Sequence, residues 1–181
     1  SLRRFEGPFK AFVDAYGLHD APSFVAALPR LVDDQCETIV LHELGEHRAG
    51  QWLDPAWAAM RMTLAQRRTD LLVRAVRDHI ADLEVTLPVL LDRDGAPALH
   101  FWFANYEGMR EQLFPSLGLG YSAWRGGDGG RVLRRAARLG AVHFRALARR
   151  VLSLHASQRD RAEPAIERLL MASESVFAFG A

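Results

Sequence analysis

The sequence predicts an all-α protein, a single-domain bundle of about six or seven helices that spans residues 1–181. Two observations support this class. Apolar residues recur every three or four positions in almost every segment, and turn signals separate the segments. In addition, 181 residues, of which 49% are hydrophobic, are enough for one domain with its own hydrophobic core.

Capping and turn residues set the predicted helix boundaries. Gly17 and Gly50 fit helix ends, Asp20 and Asp54 fit helix starts, and Pro88 fits a point beyond a helix end. The predicted helices cover residues 8–16, 21–28, 30–49, 55–87 with a break near residue 63, 97–114, 132–157 and 163–177. The glycine-rich segment 116–131 is predicted to be a loop and a candidate lid.

Composition narrows the function classes. A net charge of +1 gives no global case for nucleic acid or a membrane. The single cysteine, Cys36, excludes an internal disulfide, and the apolar stretches are shorter than the ~20 residues of a membrane span. No charged segment followed by an apolar one opens the chain, so we expect a cytoplasmic protein. The glycine motifs of kinases, nucleotide hydrolases, dinucleotide-binding folds and serine esterases do not occur.

The segment "HELGEH" at residues 42–47 contains two histidines and two glutamates. In the zinc-protease motif H-E-x-x-H the histidines are four residues apart and share one helix face. His42 and His47 are five apart, which turns them roughly 140° away from each other on a helix. A zinc-protease site is therefore excluded.

The helical period predicts which of these side chains face the core. Glu43 and His47 lie on the apolar stripe and form the expected inward pair, Glu46 lies on the same face, and His42 lies at its margin. We expect Glu46 and His42 to flank the ligands rather than bind directly. The apolar residues of this stripe are Val32, Cys36, Ile39 and Val40.

Three further helices aim a histidine at the core. His79 and Asp82 form a second inward pair on one helix. His100 shares a stripe with Glu107, two turns away, so both are not expected to bind one ion. His143 lies among apolar residues of the arginine-rich helix. The candidate metal ligands are Glu43, His47, His79, Asp82, His100, Glu107 and His143.

Imidazoles and carboxylates that project from facing helices suit iron or manganese, and zinc is less favoured because no thiolate cluster accompanies them. The set resembles that of ferritin-like and haem-oxygenase-like di-iron carboxylate enzymes. It departs from their Glu-x-x-His motif, since this chain has Glu43-x-x-x-His47 and His79-x-x-Asp82. The resemblance implies a non-haem iron or manganese oxidase or oxygenase that acts on a small organic substrate. Hydrolysis by a metal-bound water is equally compatible with these ligands.

The segments "HELGE" and "LHFWFAN…LFP" also resemble those of an uncharacterised bacterial helical family. That resemblance implies no function.

Two other clusters lead to further predictions. Four aromatic residues could wall a substrate pocket beneath the glycine-rich segment, or simply pack in the core: Trp102, Tyr106, Tyr121 and Trp124. Arg134, Arg138 and Arg145 lie on one outer stripe that could meet an acidic partner, although a solvated face balanced by acids elsewhere is the favoured explanation.

The alternative function is a non-catalytic helical binding or interaction protein. Its inward histidines and carboxylates would form a buried hydrogen-bond network, and its arginine face would meet the acidic partner. Nucleic acid is not favoured as a partner because no known binding motif accompanies the arginines. The sequence does not decide whether the protein forms a homodimer.

Overall fold

The computed structural model describes residues 7–93 and 96–172. It is 85% helical, which confirms the all-α single-domain bundle, and the described residues contain no strand. The helices are α1 (Pro8–Tyr16), α2 (Ala21–Leu53), α3 (Ala56–Arg61), α4 (Arg67–Ala81), α5 (Leu87–Asp92), α6 (Ala96–Ala104), α7 (Met109–Leu113), α8 (Pro115–Arg125), α9 (Arg131–Gln158) and α10 (Glu163–Ala172). A π-helical turn at Asp82–Thr86 joins α4 to α5 without a break.

Several helix ends lie where the sequence predicts them. Gly17 ends α1 with a φ of +69°, a left-handed conformation that glycine adopts without strain. Asp20 caps α2, since its carboxylate accepts a hydrogen bond from the Ser23 N–H at 2.7 Å. The last predicted helix, 163–177, is confirmed as far as Ala172, and residues 173–177 lie outside the described residues.

One long helix replaces two predicted ones in the N-terminal half. Pro29 lies inside α2, which runs on past Gly50 to Leu53. Proline removes one backbone hydrogen bond, and the turns around Pro29 are almost entirely exposed, so solvent can replace it. The predicted boundaries at Pro29 and Gly50 are therefore wrong.

Pro88 does not end a helix either. It lies in the first turn of α5, directly after the π-helical turn, where the register of backbone hydrogen bonds changes. A proline fits such a point because its missing N–H is not needed there. The predicted break near residue 63, by contrast, is confirmed between α3 and α4.

The predicted helix 97–114 and the predicted loop 116–131 both need correction. The helix is interrupted at residues 105–108, where Gly108 has a φ of +68°. Most of the predicted loop is helix α8, and only the glycine-rich turn at 126–130 joins it to α9. A loop of the predicted length is excluded, because residues 115–125 are helical and Ser116, Leu117, Gly120 and Tyr121 are buried.

The continuous stretch from α4 through α5 forms the centre of the bundle. Helix α2 packs against one side of α4 and the π-helical turn, and α9 packs against the other. Helix α1 pairs with α6, α8 pairs with α9, and α10 covers α4 and α9. The side of α4 that faces α2 carries the polar residues described below.

Among the helices of residues 7–93 and 96–172, none combines the length and the apolar character that a membrane crossing requires.

Candidate functional site

The contact between α2 and α4 is unusually close at Gly45. A Cβ atom at this position would lie 2.6 Å from the backbone oxygen of Ala81, nearer than real Cβ atoms approach such an oxygen. Only glycine therefore permits the two backbones to come this near. The residues that flank this contact on both helices are brought together as a consequence.

Four polar side chains lie around this contact. His42 and Glu46 are four residues apart on α2, and Asp78 and Asp82 are four residues apart on α4 and the start of the π-helical turn. Residues at this spacing share one helix face. Since Gly45 and Ala81 lie between them at the crossing, both pairs face the same interface.

Asp82 fixes the orientation of the His42 ring. Its carboxylate is 1% exposed, and one oxygen lies 2.8 Å from His42 Nδ1. The other oxygen accepts a hydrogen bond from Arg110 Nη1 at 3.1 Å. An ionised carboxylate beside a guanidinium can only accept hydrogen bonds, so Nδ1 of His42 must carry the proton.

The second ring nitrogen of a neutral His42 then carries a lone pair. This Nε2 atom lies 4.0 Å from Oε1 of Glu46. His42, Glu46 and Asp78 each offer one ligand atom, and these three atoms lie within 4.8 Å of one another. We call these three residues the ligand cluster. One nitrogen and two carboxylate donors at this spacing could hold a divalent ion after small side-chain movements.

Burial and hydrogen bonding shift the pKa values of this cluster. Burial raises the pKa of Asp78 to about 6. The hydrogen bond to Asp82 raises the pKa of His42 above its usual value, against the opposing effect of burial. Both groups therefore hold a proton more readily than in an unfolded chain, and a bound cation would displace it.

Arg77 lies at the edge of the ligand cluster. Its Nε atom is 3.8 Å from Oε2 of Glu46, its Nη1 atom is 3.3 Å from Asp54 Oδ2, and its Nη2 atom donates to the Glu46 carbonyl oxygen at 3.3 Å. This guanidinium partly balances the carboxylates of the cluster when no cation is present.

A cleft of about 420 Å³ opens beside His42 and Asp82. Its apolar walls include Ile39, Phe101 and Trp102, and Arg110 lies at its polar side. We call it the apolar cleft. It is large enough for a small organic molecule, and it reaches a member of the ligand cluster.

The inward pair predicted on α2 is wrong. Glu43 and His47 are both exposed, whereas the buried residues of this helix are Thr38, Gly45, Ala49 and Leu53. The predicted apolar stripe is also exposed, and Ile39 and Val40 are 59% and 64% exposed. The physical reason is that α2 packs through its small residues, which allow a closer helix contact than the large apolar ones.

His79 and Asp82 do face the core, at 0% and 1% exposed, as predicted from the period. They do not share a site. His79 Nε2 lies 3.0 Å from the carbonyl oxygen of Arg110, and its ring stacks on Phe144 at 4.2 Å between centroids. Complete burial lowers the pKa of His79 to about 4, so it is neutral at pH 7.

The remaining predicted ligands lie elsewhere. His100 Nδ1 is 2.7 Å from the hydroxyl of Tyr121, and its ring contacts Trp124. Glu107 lies exposed in the interruption between α6 and α7, because the predicted continuous helix does not form there. His143 is half-buried on α9 against Phe144. The structure does not bring these residues to the ligand cluster.

The four predicted pocket aromatics do not wall one pocket. Trp102 and Tyr106 stack on each other at 5.1 Å, and Trp102 lines the apolar cleft. Tyr121 stacks on Phe103, and Trp124 lines a separate depression with His100. Helix α8 replaces the loop beneath which they were expected to meet.

The predicted arginine face is partly neutralised. Arg134 forms an ion pair with Asp92, and Arg145 forms a two-pronged ion pair with Glu84. Arg138 is exposed. Two of the three arginines therefore hold intramolecular carboxylates.

Sequence reasoning missed Asp78, Arg77 and Arg110, and it placed His42 and Glu46 only at the edge of the site. The available signal was the equal spacing of His42-x-x-x-Glu46 and Asp78-x-x-x-Asp82, with a glycine inside the first pair. The hydrophobic period outweighed it, because α2 has apolar residues on a face that is not buried.

Comparisons with known proteins identify a family but no activity. The C-terminal domain of a family of unknown function, DUF6866, matches residues 1–173. No curated protein and no solved structure matches the chain. The family match confirms the expectation of a helical family without an assigned function. Because the match covers almost the whole sequence, the chain belongs to the DUF6866 family as its C-terminal domain.

Proposed function

We propose that this protein is a metal-dependent enzyme that binds iron or manganese between α2 and α4 and acts on a small organic substrate. The observation that supports the proposal is the orientation of His42 by the buried Asp82. Metal-binding histidines usually donate their other ring N–H to a carboxylate, and Asp82 accepts such a bond at 2.8 Å.

In this proposal the ligands are Nε2 of His42 and the carboxylates of Glu46 and Asp78. Asp82 and Arg110 act as positioning residues, because they hold the His42 ring in one tautomer. The nitrogen and oxygen donor set suits iron and manganese, and it also accommodates zinc. A bound ion would supply Lewis-acid or redox chemistry at this point.

The apolar cleft supports the substrate part of the proposal. Its walls of Ile39, Phe101 and Trp102 suit the apolar body of a small molecule, and His42 lies at its edge. A substrate in this cleft would lie beside the ligand cluster.

Elemental analysis of the purified protein, after incubation with iron, manganese or zinc, tests the proposal. We expect about one ion per chain that is lost in His42→Ala and in Asp78→Asn. The matched control is His47→Ala, because His47 is an exposed histidine five residues away on the same helix. Equal metal content in all four proteins, or none in any, would overturn the proposal.

A second candidate function, an interaction protein, is favoured by one observation. The large apolar residues of α2 are exposed along most of its length: Val25, Leu28, Val32, Ile39, Val40 and Leu44. Large apolar side chains that cluster on the surface of a protein often mark an interaction surface. A second copy of the chain, packed along the same face of α2, would cover it.

The oligomeric state tests this candidate. We expect a dimer by light scattering that dissociates in Val40→Asp and is unchanged in Val142→Asp. These two valines are matched, since they are 64% and 67% exposed on α2 and α9. A monomeric wild-type protein at all concentrations would contradict the candidate.

A further inference from the structure

A second depression reaches the ligand cluster from another direction. It has a volume of about 350 Å³ and is lined by Glu46, Trp57, Arg61, Arg74, Arg77 and Asp78. We call it the arginine pocket. Glu46 and Asp78 belong to both the pocket and the ligand cluster, so whatever the pocket holds lies next to the proposed metal ligands.

Three arginines from two helices line this pocket. Arg61 ends α3, and Arg74 and Arg77 lie three residues apart on α4. Asp70 orients two of them, because its oxygens lie 3.0 Å from Arg61 Nε and 2.9 Å from Arg74 Nε. Arginine is the side chain best suited to bind carboxylate and phosphate groups.

Two residues that line the pocket each have a buried N–H group without a hydrogen-bond partner among the described residues. One is Nε1 of Trp57, whose side chain is 0% exposed, and the other is Nε of Arg77. Buried donors in native proteins are normally satisfied by protein, water or a ligand. Both can only donate, so the group that satisfies them is an acceptor.

The charge balance of the pocket depends on the ligand cluster. Arg61, Arg74 and Arg77 face the carboxylates of Asp70, Asp54, Glu46 and Asp78. A divalent cation held by Glu46 and Asp78 would neutralise those two carboxylates. Three guanidinium groups would then face only Asp54 and Asp70, and the pocket would attract an anion.

We infer that the arginine pocket binds an oxyanion, the carboxylate or phosphate group of the substrate, beside the metal ligands. The assignment of this oxyanion to a substrate rests on the proposed function. The two depressions then have complementary roles, because the apolar cleft meets the cluster at His42 and the arginine pocket meets it at Glu46 and Asp78. An acidic organic molecule matches both depressions, since its apolar body suits the apolar cleft and its oxyanion suits the arginine pocket.

Calorimetric titration of the full chain with inorganic phosphate, and separately with acetate, tests the inference. Both titrations are made at constant ionic strength, with and without manganese. We expect one oxyanion site that binds more tightly in the presence of manganese. Arg74→Gln should weaken it by about tenfold, the loss of one charge-assisted contact. Arg74→Lys should retain part of the affinity because it keeps the charge.

Arg138→Gln is the matched control, because Arg138 is an exposed arginine on α9 that does not line the pocket. Circular dichroism of each variant verifies its fold. Arg74 is the residue of choice since its side chain is 56% exposed, and its substitution is not expected to unfold the protein.

The outcomes separate the two proposals. Tighter binding of phosphate assigns a phosphoryl substrate, and tighter binding of acetate assigns a carboxylate substrate. Manganese binding without oxyanion binding, or equal effects of Arg74→Gln and Arg138→Gln, would overturn the inference and leave the proposed function standing. Oxyanion binding without any metal binding would overturn the proposed function and the assignment of the anion to its substrate.

Discussion

Asp82 is the residue that connects the candidate site to the core of the protein. It is 1% exposed, and it accepts hydrogen bonds from both His42 and Arg110. A buried carboxylate is tolerated only when it is paired and hydrogen-bonded. Its two partners lie on different elements, so Asp82 ties α2 and α7 to the π-helical turn.

We expect Asp82→Asn to lower the free energy of unfolding by about 3 kcal/mol, since it leaves the Arg110 charge without its buried partner. Urea denaturation measures this change. Asp70→Asn is the control, because Asp70 pairs with Arg61 and Arg74 at a side-chain exposure of 26%. That substitution should cost no more than about 1 kcal/mol. Equal losses would contradict the role assigned to Asp82.

His79 makes the stability depend on pH. An unfolded histidine takes up a proton near pH 6.5, but burial lowers the pKa of His79 to about 4. Between these values the unfolded state binds more protons, so the free energy of unfolding falls as the pH falls, by about 3 kcal/mol in total. Denaturation of wild type and His79→Phe between pH 7 and 4 measures this, and the variant should lack the contribution of His79 to the acid loss of stability.

The protonation of Asp78 changes the free energy of unfolding in the opposite direction, so Asp78 provides the control. Its folded pKa is raised to about 6 from an ordinary 3.8, so protonation favours the folded state as the pH falls through this window. Asp78→Asn should therefore steepen the acid loss of stability, whereas His79→Phe should reduce it. Parallel profiles for both variants would refute this account.

At the scale of the element, α2 shows that a helix does not always bury its most apolar face. Its buried side carries Thr38, Gly45 and Ala49, with Leu53 as the one large apolar residue at its C-terminal end, and most of its other large apolar residues are exposed. The close approach of α2 to α4 depends on this choice, because bulky side chains would hold the helices further apart. The ligand cluster exists only because the helices are this close.

Gly45→Ala tests the close approach. The added Cβ would lie 2.6 Å from the backbone oxygen of Ala81, so the helices must separate. We expect a loss of about 2 to 3 kcal/mol in the free energy of unfolding, together with weaker metal binding.

Gly118→Ala in α8 is the matched control, because a Cβ there meets nothing within 4 Å. It should stabilise the protein by about 0.5 to 1 kcal/mol, since alanine is favoured over glycine in a helix. Thermal unfolding of both variants measures the difference. Similar changes in the two would show that helix propensity, and not the contact with Ala81, decides the effect at Gly45.

At the scale of the whole molecule, metal binding and folding should be linked. An ion that binds only the folded chain stabilises it by about 2.7 kcal/mol at a free concentration of 100 times its Kd. Because the raised pKa values of Asp78 and His42 make protons compete with the ion, its affinity should fall as the pH falls through about 6. Calorimetry with manganese at pH 5 to 8 measures this, and affinity independent of pH would contradict the assigned ligands.

The sequence by itself determined the all-α class, the ends of α1 and α9 to within a residue or two, and the burial of His79 and Asp82. These features follow from local signals. Gly17 ends α1 in a left-handed conformation, and the apolar residues of α4 recur on a single face of the helix. It did not determine the face of α2 that is buried. The period identified Glu43 and His47, whereas the helix packs through Gly45 and brings His42 and Glu46 to Asp78.

Only the tertiary structure decided which face of α2 is buried, because α2 has two faces that could pack. Large apolar side chains gain more from leaving water, but a glycine face allows closer contact and pairs the buried Asp82 with His42. The spacing of apolar residues shows how much apolar surface a helix face could remove from water. It contains no information on how closely that face can approach another helix or on which buried polar groups it would pair. The candidate site therefore became visible only once the partner helix, with its own acids four residues apart, was in place.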